Sequence, residues 1–310
     1  MSSTYILPSV IARRALATLY NSTVFAALVH RDYDADFNGK VGDTLTIRKP
    51  ATFEAKVFSR GSGIELQDAT ESSTTVALDT LLDVSFAVTS EELSLKIDDF
   101  ATRLLNPAME AIVQGVDGRL AEKLVDAAES GSGGGTSTWS SSKPSSVFVG
   151  ETGARAKLGR AKAPTTDRYA VLSSEAAGVA LTEELIVAAD KSGWTDALRE
   201  GSVGRLFGFD TYESQVLGYG NLGTVGTDAG QADGVAFHRD AVALVTRTLD
   251  KPDGISDSQV AVQNYKGLGL RVVKAYDITK KQDVISVDFL LGLSSLRPSW
   301  AVQLSVGLGS

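Results

Sequence analysis

Apolar residues recur every three or four positions between residues 106 and 130, which is the spacing of a helix with one buried face. Asn106 is a favourable N-cap residue, and Pro107 suits the first helical position, where its missing N–H needs no partner. The glycine-rich run from 131 to 135 would end the helix. The pattern therefore predicts one long helix of about 22 residues, roughly 33 Å in length, around which the chain is organised. Its apolar stripe consists of Ala108, Met109, Ile112, Val116, Leu120, Leu124 and Ala127 or Ala128.

Two further helical segments are predicted before the long helix. Ser90 can cap a shorter helix with Glu91 and Glu92 in its first turn, and Pro107 would mark a kink or break before the long helix. The segment from 5 to 28 has helical pieces that are interrupted at Pro8 and around residues 21 and 22. The shorter helix has an apolar edge formed by Leu93, Ile97, Phe100 and Leu104.

A long β-hairpin is predicted between residues 43 and 89, where apolar residues alternate with polar ones. The first run ends in a polar turn at residues 59–63, and the second returns through Val76, Val84 and Val88. Between Glu54 and Thr75, six of 22 residues are apolar, against 43% for the whole chain. Because a lone two-stranded ribbon is marginally stable in water, we expect this tip to pack on a neighbouring molecule.

The second half of the sequence predicts an α/β segment followed by a β-rich one, with a second compact unit beginning near residue 147. The polar run from 131 to 146 is predicted as a loop or linker, and the glycine-rich run from 218 to 234 as another loop. Strands are expected at 147–149, 168–172, 242–245, 260–262, 268–273 and 284–291, and helices at 151–163 and 181–189.

Composition narrows the function classes. The chain has 310 residues, a net charge of -8 and no cysteine, so disulfides and thiolate metal sites are impossible. An acidic balance argues against a dedicated nucleic-acid binder, although a local basic face remains compatible with it. Apolar runs long enough for a signal peptide or a membrane span do not occur, which predicts a soluble, unexported chain without membrane partners.

Candidate catalytic and metal-binding patterns are weak. The acidic run from 32 to 36 resembles a calcium loop, but Phe37 occupies the position that needs glycine and Asp43 the position that needs glutamate. His238, Arg239 and Asp240 match a kinase tripeptide without the other kinase motifs. With His30 and His238 as the chain's two histidines, and no Gly-x-Ser-x-Gly motif, we expect neither an enzyme nor a cofactor site.

A set of segments, in order along nearly the whole chain, resembles the major capsid proteins of tailed bacteriophages with the Hong Kong 97-type fold. The set is specific as a whole, although no single motif is. The segments are VGDTLTIRKPATF at 41–53, Leu78-Asp79, DVSF at 83–86, SEEL at 90–93, IDDF at 97–100, Pro107-Ala108, GRLFGFD at 204–210, FHRDA at 237–241 and YDI at 276–278.

The resemblance implies an α+β fold with named parts. Residues 1–39 would form an N-terminal arm, and 40–89 the extended hairpin, or E-loop, that lies across a neighbouring subunit. Residues 90–130 would be the peripheral domain with its spine helix, 131–235 the axial domain, and 236–310 the return to the peripheral domain. An extra inserted domain, present in some relatives, is not expected, because the loop at 218–234 is short. Relatives with a self-made Lys–Asn crosslink suggest Lys49, Lys56 or Asn264, but no motif assigns those roles.

The function implied by the resemblance is a virion structural protein that assembles into an icosahedral shell around double-stranded DNA. Its expected partners are further copies of itself, as hexamers and pentamers, together with scaffolding, portal and decoration proteins. Packaged DNA would be a partner by non-specific proximity only. Synthesis would take place in the cytoplasm of the bacterial host. An alternative is an encapsulin-like compartment shell, which shares the fold and encloses enzyme cargo.

The net charge raises a question for a shell that encloses DNA, because a uniformly acidic lining would repel phosphates. We therefore expect much of the acidic excess to lie in ion pairs between subunits, with an inner surface near neutral. The predicted cations are on the hairpin and the predicted carboxylates are on the neighbour. The residues are Arg48, Lys49, Lys56 and Arg60 on one side and Glu91, Glu92, Asp98 and Asp99 on the other.

Overall fold

The protein is described by a computed structural model whose described residues form a two-stranded hairpin and two larger β-sheets, and one long helix contacts both larger sheets. The structure describes residues 8–32, 44–49, 53, 55–58, 60–61, 66, 72–89, 101–131, 135–139, 144–181, 204–217, 233–251, 256, 259–265, 268–280 and 282–306.

Five α-helices occur in the described ranges. They are α1 (Pro8–Ser22), α2 (Phe25–Leu28), α3 (Asn106–Ser130), α4 (Ala154–Arg160) and α5 (Ser174–Ala180). The long helix α3 confirms the main prediction, and every residue of its predicted apolar stripe is buried. Among the described residues, no helix is both long enough and apolar enough to cross a membrane.

The start of α3 differs from the prediction. Asn106 is not the N-cap, because a π-helical turn, Ala101–Leu105, runs directly into α3 with Leu105 in helical conformation at φ -73° and ψ -43°. Pro107 lies in the first turn and does not break the helix. We attribute the continuity to the π turn, whose wider hydrogen-bond spacing changes the pairing where Pro107 offers no N–H. Residues 90–100 of the predicted shorter helix lie outside the described ranges.

The N-terminal helices pack into the body of the subunit. Helix α1 begins at Pro8 and ends at Ser22, as the sequence pattern predicts. One face of α1 contacts α3 and two strands of the first sheet, β10 and β11 (Val260–Tyr265 and Leu268–Asp277). The buried residues on that face are Ile11, Ala12, Ala15 and Leu16.

The first sheet has the order β10-β11-β12-β3, with β9 paired to the far end of β12. All of its pairings are antiparallel. Strand β12 (Gln282–Ser295) is central, because its first part lies between β11 and β3 (Thr80–Thr89) and its last part pairs with β9 (Val242–Arg247). The alternate residues Leu82, Val84, Phe86 and Val88 of β3 are buried or partly buried, whereas their neighbours on the opposite face are exposed.

The predicted hairpin is shorter than expected. Strand β1 (Thr44–Lys49) pairs with β2 (Ser72–Ala77), but the returning run then leaves the hairpin, and β3 pairs with β12. Leu78 and Asp79 separate the two strands. The apolar alternation keeps the same phase from Val76 through Leu78 to Val88, so the pattern does not reveal that the chain changes sheets.

Within the described residues, the second sheet has six strands in the order β4-β13-β8-β5-β7-β6. Helix α3 contacts strands of both sheets. The strands are β4 (Thr136–Trp139), β5 (Arg168–Leu172), β6 (Arg205–Leu206), β7 (Phe209–Glu213), β8 (Gly234–His238) and β13 (Ala301–Val306). Strand β13 joins the segment from 136 to 238 in one sheet, although the domain boundaries implied by the resemblance assign it elsewhere; those boundaries stay a prediction.

Several local predictions in the second half need correction. The polar run from 131 to 146, which was predicted as a loop, contains strand β4. This strand lies at one end of the second sheet and pairs with β13. Val147 ends a 3₁₀ helix, Pro144–Val147, and Phe148 lies in the turn after it, so neither residue is in a strand. Both are buried, and the Phe148 ring packs on Phe207 and Phe209. The helix predicted at 151–163 is confined to α4.

Helix α5, with Ser173 as its N-cap accepting from the Ala176 N–H, was not predicted, and the helix expected at 181–189 lies, after its first residue, outside the described ranges. Residues 182–203 lie outside the described ranges, as do residues 218–232, which make up most of the predicted glycine-rich loop. The strand predicted at 168–172 and the four late strands are confirmed.

A glycine in β12 allows the hairpin to approach the first sheet. A Cβ at Gly292 would lie 2.2 Å from the carbonyl oxygen of Ala77. Because that oxygen belongs to the backbone, Gly292→Ala should lower the free energy of unfolding by about 2–3 kcal/mol in urea titrations. The matched control is Gly178→Ala in α5, where a Cβ meets nothing within 4 Å. That control should raise the stability by about 0.5–1 kcal/mol. Equal stability of Gly292→Ala and wild type would contradict the close approach.

Candidate intersubunit surfaces

The base of the hairpin is part of the subunit core. Ile47, Val76 and Leu78 are buried against a second hydrophobic cluster contributed by β9, β12 and the residue after β12. The hydroxyl of Ser294 also donates to the carbonyl oxygen of Thr75 at 2.8 Å. The base is therefore fixed by the subunit's own residues. The partners in the cluster are Ala243, Val245, Leu290 and Leu296.

The tip of the hairpin has no comparable burial at the positions that the structure describes. Phe53 and Phe58 are 63% and 64% exposed, and Val57 and Leu66 are 97% and 93% exposed. Large apolar side chains at this level of exposure, in one segment, are typical of a surface that another molecule covers. The prediction that the tip cannot bury itself is thus consistent with every described tip residue.

The predicted intersubunit ion pairs can be located only in part. Lys56 and Arg60 are exposed at the hairpin tip. Arg48 and Lys49 lie in β1, but their side chains are outside the described set. The four candidate carboxylates, Glu91, Glu92, Asp98 and Asp99, lie outside the described residues altogether. The pairing of these groups therefore stays a prediction.

One buried carboxylate was missed by the sequence pattern. Asp117 lies in α3 directly after the apolar Val116, and it is 2% exposed. Its Oδ2 accepts a hydrogen bond from the Val24 N–H at 2.9 Å, at the start of α2. The carboxylate thereby connects the N-terminal segment to the long helix. The available signal was an acidic residue next to the stripe, and this signal does not distinguish a buried acid from a solvated one.

Burial raises the pKa of Asp117 to about 6, although hydrogen bonds from the N–H groups of Val24, Phe25 and Ala26 act in the opposite direction. A carboxyl group with a raised pKa in the folded state stabilises the fold below its unfolded pKa, and this stabilisation is lost as the pH rises through about 6. We expect wild type to lose about 1 kcal/mol from this group between pH 5 and pH 7. The Asp117→Asn variant keeps a hydrogen-bond acceptor and should lack that loss.

The measurement is the difference in free energy of unfolding between wild type and Asp117→Asn at several pH values from 5 to 7. The difference is needed because burial lowers the pKa of His238, which has the opposite effect: its contribution is lost as the pH falls below the ordinary histidine value. The His238 contribution is common to both proteins and cancels. A difference that is constant across this range would show that Asp117 does not titrate there.

Both histidines of the chain contact one carboxylate. His30 Nδ1 lies 2.9 Å from Oδ1 of Asp240, and His238 Nδ1 accepts from the Asp240 backbone N–H at 3.1 Å. The His238 ring packs edge-on against Trp300, with ring centroids 4.8 Å apart. The segment around His30 also bonds to β9 through its backbone, in both directions between His30 and residues 242 and 244. This arrangement attaches the segment before the hairpin to the sheet and places the His238 imidazole in the interior.

Metal binding finds no support at the positions that the structure covers, because no group of three or more histidine or carboxylate side chains there could hold an ion. Asp32 of the acidic run is described, and it lies 3.6 Å from the guanidinium of Arg239 and 3.7 Å from His30. The other two carboxylates of the run, Asp34 and Asp36, lie outside the described residues.

Comparison with solved structures shows chains of similar fold. A chain from Mycobacterium phage Che8 matches with a TM-score of 0.65 and 20% identity, over 91% of each chain. A chain from the asymmetric unit of the bacteriophage PhiM1 mature capsid matches with a TM-score of 0.64 and 15% identity, over 93% of this chain and 88% of the other. The virus-like particle of Pyrococcus furiosus gives a TM-score of 0.52 and 13% identity, over 95% and 98%. No family model and no curated protein matches the sequence.

These likenesses cover almost the whole length of both chains in each pair, so they concern the complete arrangement of sheets, long helix and hairpin. The chain has the fold of tailed-phage capsid proteins, and the predicted α+β fold of the Hong Kong 97 type is confirmed. At identities of 13–20%, these likenesses show the fold alone.

Proposed function

We propose that this protein is the major capsid subunit of a tailed bacteriophage, which assembles into a shell around double-stranded DNA. The observation that carries the proposal is the hairpin. Its base is buried in the subunit, whereas its described tip residues expose large apolar side chains that need a partner. A neighbouring copy of the same chain would supply that partner at every position of a shell, because closed assemblies repeat one interface.

A structural role also fits the interior of the subunit. His238 packs against Trp300 and accepts a hydrogen bond from the Asp240 backbone N–H, so its ring contributes to packing inside the subunit. Asp117 likewise holds two helices together within the core. We therefore infer a protein whose function is assembly, located in the virion and synthesised in the host cytoplasm. Its proposed partners are copies of itself as hexamers and pentamers, together with scaffolding, portal and decoration proteins.

The second candidate is a compartment shell that encloses protein cargo. It draws support from the likeness to the virus-like particle of Pyrococcus furiosus, which covers nearly the whole of both chains. The likeness to the phage capsid chain has the higher TM-score, 0.64 against 0.52. The phage capsid therefore remains the leading proposal.

The direct test is negative-stain electron microscopy of the purified full-length protein, combined with measurement of nucleic acid in particles from infected or induced cells. Closed icosahedral shells that contain DNA would support the phage capsid. Shells that contain protein cargo and no DNA would favour the compartment. A protein that stays monomeric at all concentrations, with and without co-expressed neighbouring genes, would contradict both.

The charged residues of the hairpin tip give a separate prediction. We expect the yield of assembled shells to fall as sodium chloride rises, because added salt shortens the Debye length from about 10 Å at 0.1 M to about 3 Å at 1 M. The double variant Lys56→Ala, Arg60→Ala should assemble poorly at low salt and show a weaker dependence on salt. Sedimentation of assembled material measures the yield.

A matched control removes two exposed cations outside the hairpin, as Arg13→Ala and Lys280→Ala. This control should follow the wild-type curve. Individual exposed pairs contribute about 0–1 kcal/mol, so the effect depends on their repetition around the shell. If the hairpin variant and wild type give the same curve, the tip's charges do not contribute to cohesion.

A further inference from the structure

Helix α4 and the residue pair after it form a concentrated basic surface in an acidic protein. Four cations, Arg155, Lys157, Arg160 and Lys162, occur within eight residues, whereas the whole chain has a net charge of -8. A fifth cation, Arg168, lies buried beside them at the start of β5. We call these five residues the α4 basic cluster.

Three of the five cations are bonded to backbone carbonyl oxygens. Arg155 donates from Nη1 to the carbonyl of Phe207 at 3.3 Å, and Lys157 donates from Nζ to the carbonyl of Thr136. Arg168 donates to the carbonyls of residues 163 and 164 at 2.8 Å and 2.6 Å. A carbonyl satisfies the donor without neutralising the charge, so these bonds hold the cations in place and preserve the positive field.

The cations of the cluster act on one another. Burial lowers the pKa of Lys157, and the positive charge of Arg160 lowers it further. Burial also lowers the pKa of Arg168, and the positive charge of Arg155 lowers it further. Arg160 contacts Glu151 at 3.7 Å, but both side chains of this pair are exposed, and such pairs contribute little. The balance of charge at α4 therefore stays positive.

The chemistry of the surrounding surface distinguishes between two kinds of anionic partner, namely an acidic protein segment and a nucleic-acid backbone. The core of a protein interface is rich in apolar and aromatic side chains and poor in charge. Within the described residues, the large exposed hydrophobic side chains lie in α1, around the hairpin, and on strands or the turn after β11, and none lies between residues 144 and 181. Beside the cluster, Thr165 and Thr166 are exposed and carry hydroxyls that can donate to phosphate oxygens. A polar, strongly basic surface of this kind suits a phosphate backbone.

We propose that the α4 basic cluster binds the phosphate backbone of DNA without sequence preference. The inference rests on the proposed function for the source of the DNA, which would be the enclosed genome. The proposal goes beyond the non-specific proximity of packaged DNA, because it assigns the contact with DNA to one element of the subunit. Arg160 and Lys162 are exposed and supply the donors to phosphate, while Arg155, Lys157 and Arg168 are held by carbonyls and contribute to the field.

The experiment measures binding of the unassembled full-length chain to a fluorescently labelled random-sequence duplex by anisotropy, as a function of salt. If Arg160 and Lys162 each neutralise one phosphate and the field of the three held cations neutralises about two more, the affinity of wild type should fall roughly 100-fold between about 50 and 200 mM salt. The variant Arg160→Gln, Lys162→Gln should reduce the slope of log affinity against log salt by about 2, so that the fall is about 10-fold.

The matched control, Arg13→Gln with Lys280→Gln, brings the net charge from -8 to -10, as the test variant does, but at exposed positions outside the cluster. It should keep the wild-type slope, and so should the charge-preserving exchange Arg160→Lys, Lys162→Arg. An equal reduction in the control would show an effect of overall charge and overturn the proposal. An unchanged slope in the test variant would also overturn it.

Competition by polyglutamate tests the alternative partner, an acidic protein segment. If polyglutamate displaces the duplex at equal charge concentration and the test variant weakens both equally, the cluster is a surface for acidic protein segments and the DNA proposal is wrong. The outcome is separable from the proposed function, because shell formation by wild type is scored by microscopy. If wild type forms normal shells but the test variant keeps the wild-type slope of log affinity against log salt, the capsid function stands and the DNA-binding role of α4 is wrong.

Discussion

Replacing residues 50–71 by Asn-Gly should give a subunit that folds normally and forms no complete shells. The two-residue turn would follow directly on the Lys49–Ser72 pair, a position where Asn-Gly supports a tight hairpin. The buried base, with Ile47, Val76 and Leu78, remains intact. The free energy of unfolding should therefore change little. The variant lacks the exposed tip and with it the apolar side chains that would contact a neighbouring subunit. Urea unfolding and electron microscopy of the same preparation measure the two effects.

A finer variant separates the apolar contacts from the length of the hairpin. Val57→Ser with Leu66→Ser removes two side chains that are more than nine-tenths exposed in the subunit. This pair should reduce shell yield by at least 10-fold, because each copy in a shell loses the same contacts. Ile278→Ser serves as the control, since Ile278 is also exposed but lies in the turn after β11. Normal shells from the shortened hairpin would refute the assembly role of the tip.

Replacing Ile112 and Val116 by aspartate should abolish folding. Both residues are 1% exposed in α3, which contacts both sheets, so each substitution would bury an unpaired charge in the common core. The cost is several kcal/mol for each residue, and the total approaches the whole stability of an ordinary domain. Circular dichroism and the soluble fraction after expression measure the loss.

The control for this pair is Gln114→Asp, which places the same new charge at an exposed position of the same helix. It should change stability by less than about 0.5 kcal/mol. A cooperative thermal transition in the Ile112→Asp, Val116→Asp protein, at the wild-type temperature, would show that the stripe is not buried.

The long helix was predictable because its signal is local. The stripe from Ala108 to Ala128 repeats every three or four residues, and all of its residues are buried. The late strands were predictable for the same reason, since short apolar runs and apolar alternation are local signals of a strand. In each case the information lies within one element.

The misses arise where the structure depends on distant residues. Strand β2 ends at Ala77 because β3 finds its partner in β12, some two hundred positions later, and the apolar alternation is unchanged across that point. Strand β4 is polar in sequence and exists because β13 pairs with it. The Asn106 N-cap failed because a π-helical turn precedes α3, and a cap signal cannot report whether the chain upstream is already helical.

The candidate site shows the same division. The exposed, weakly apolar tip was predictable from composition between Glu54 and Thr75, and its described apolar residues are exposed. The role of Asp117 was not, because its burial depends on α2, which lies about ninety residues earlier. The α4 basic cluster was visible as four cations in eight residues, but their carbonyl partners lie on other elements of the second sheet region.

The pairing of β3 with β12 and of β4 with β13 also determines when the subunit can fold during translation. At about 5–20 residues per second, the roughly 200 positions that separate β3 from β12 take about 10–40 s to synthesise. Until then, the base of the hairpin lacks Leu290 and Leu296, which complete its cluster. A nascent chain in which β12 has not yet been made therefore cannot present a finished hairpin to a neighbour, so the order of the strands delays assembly until this strand is available.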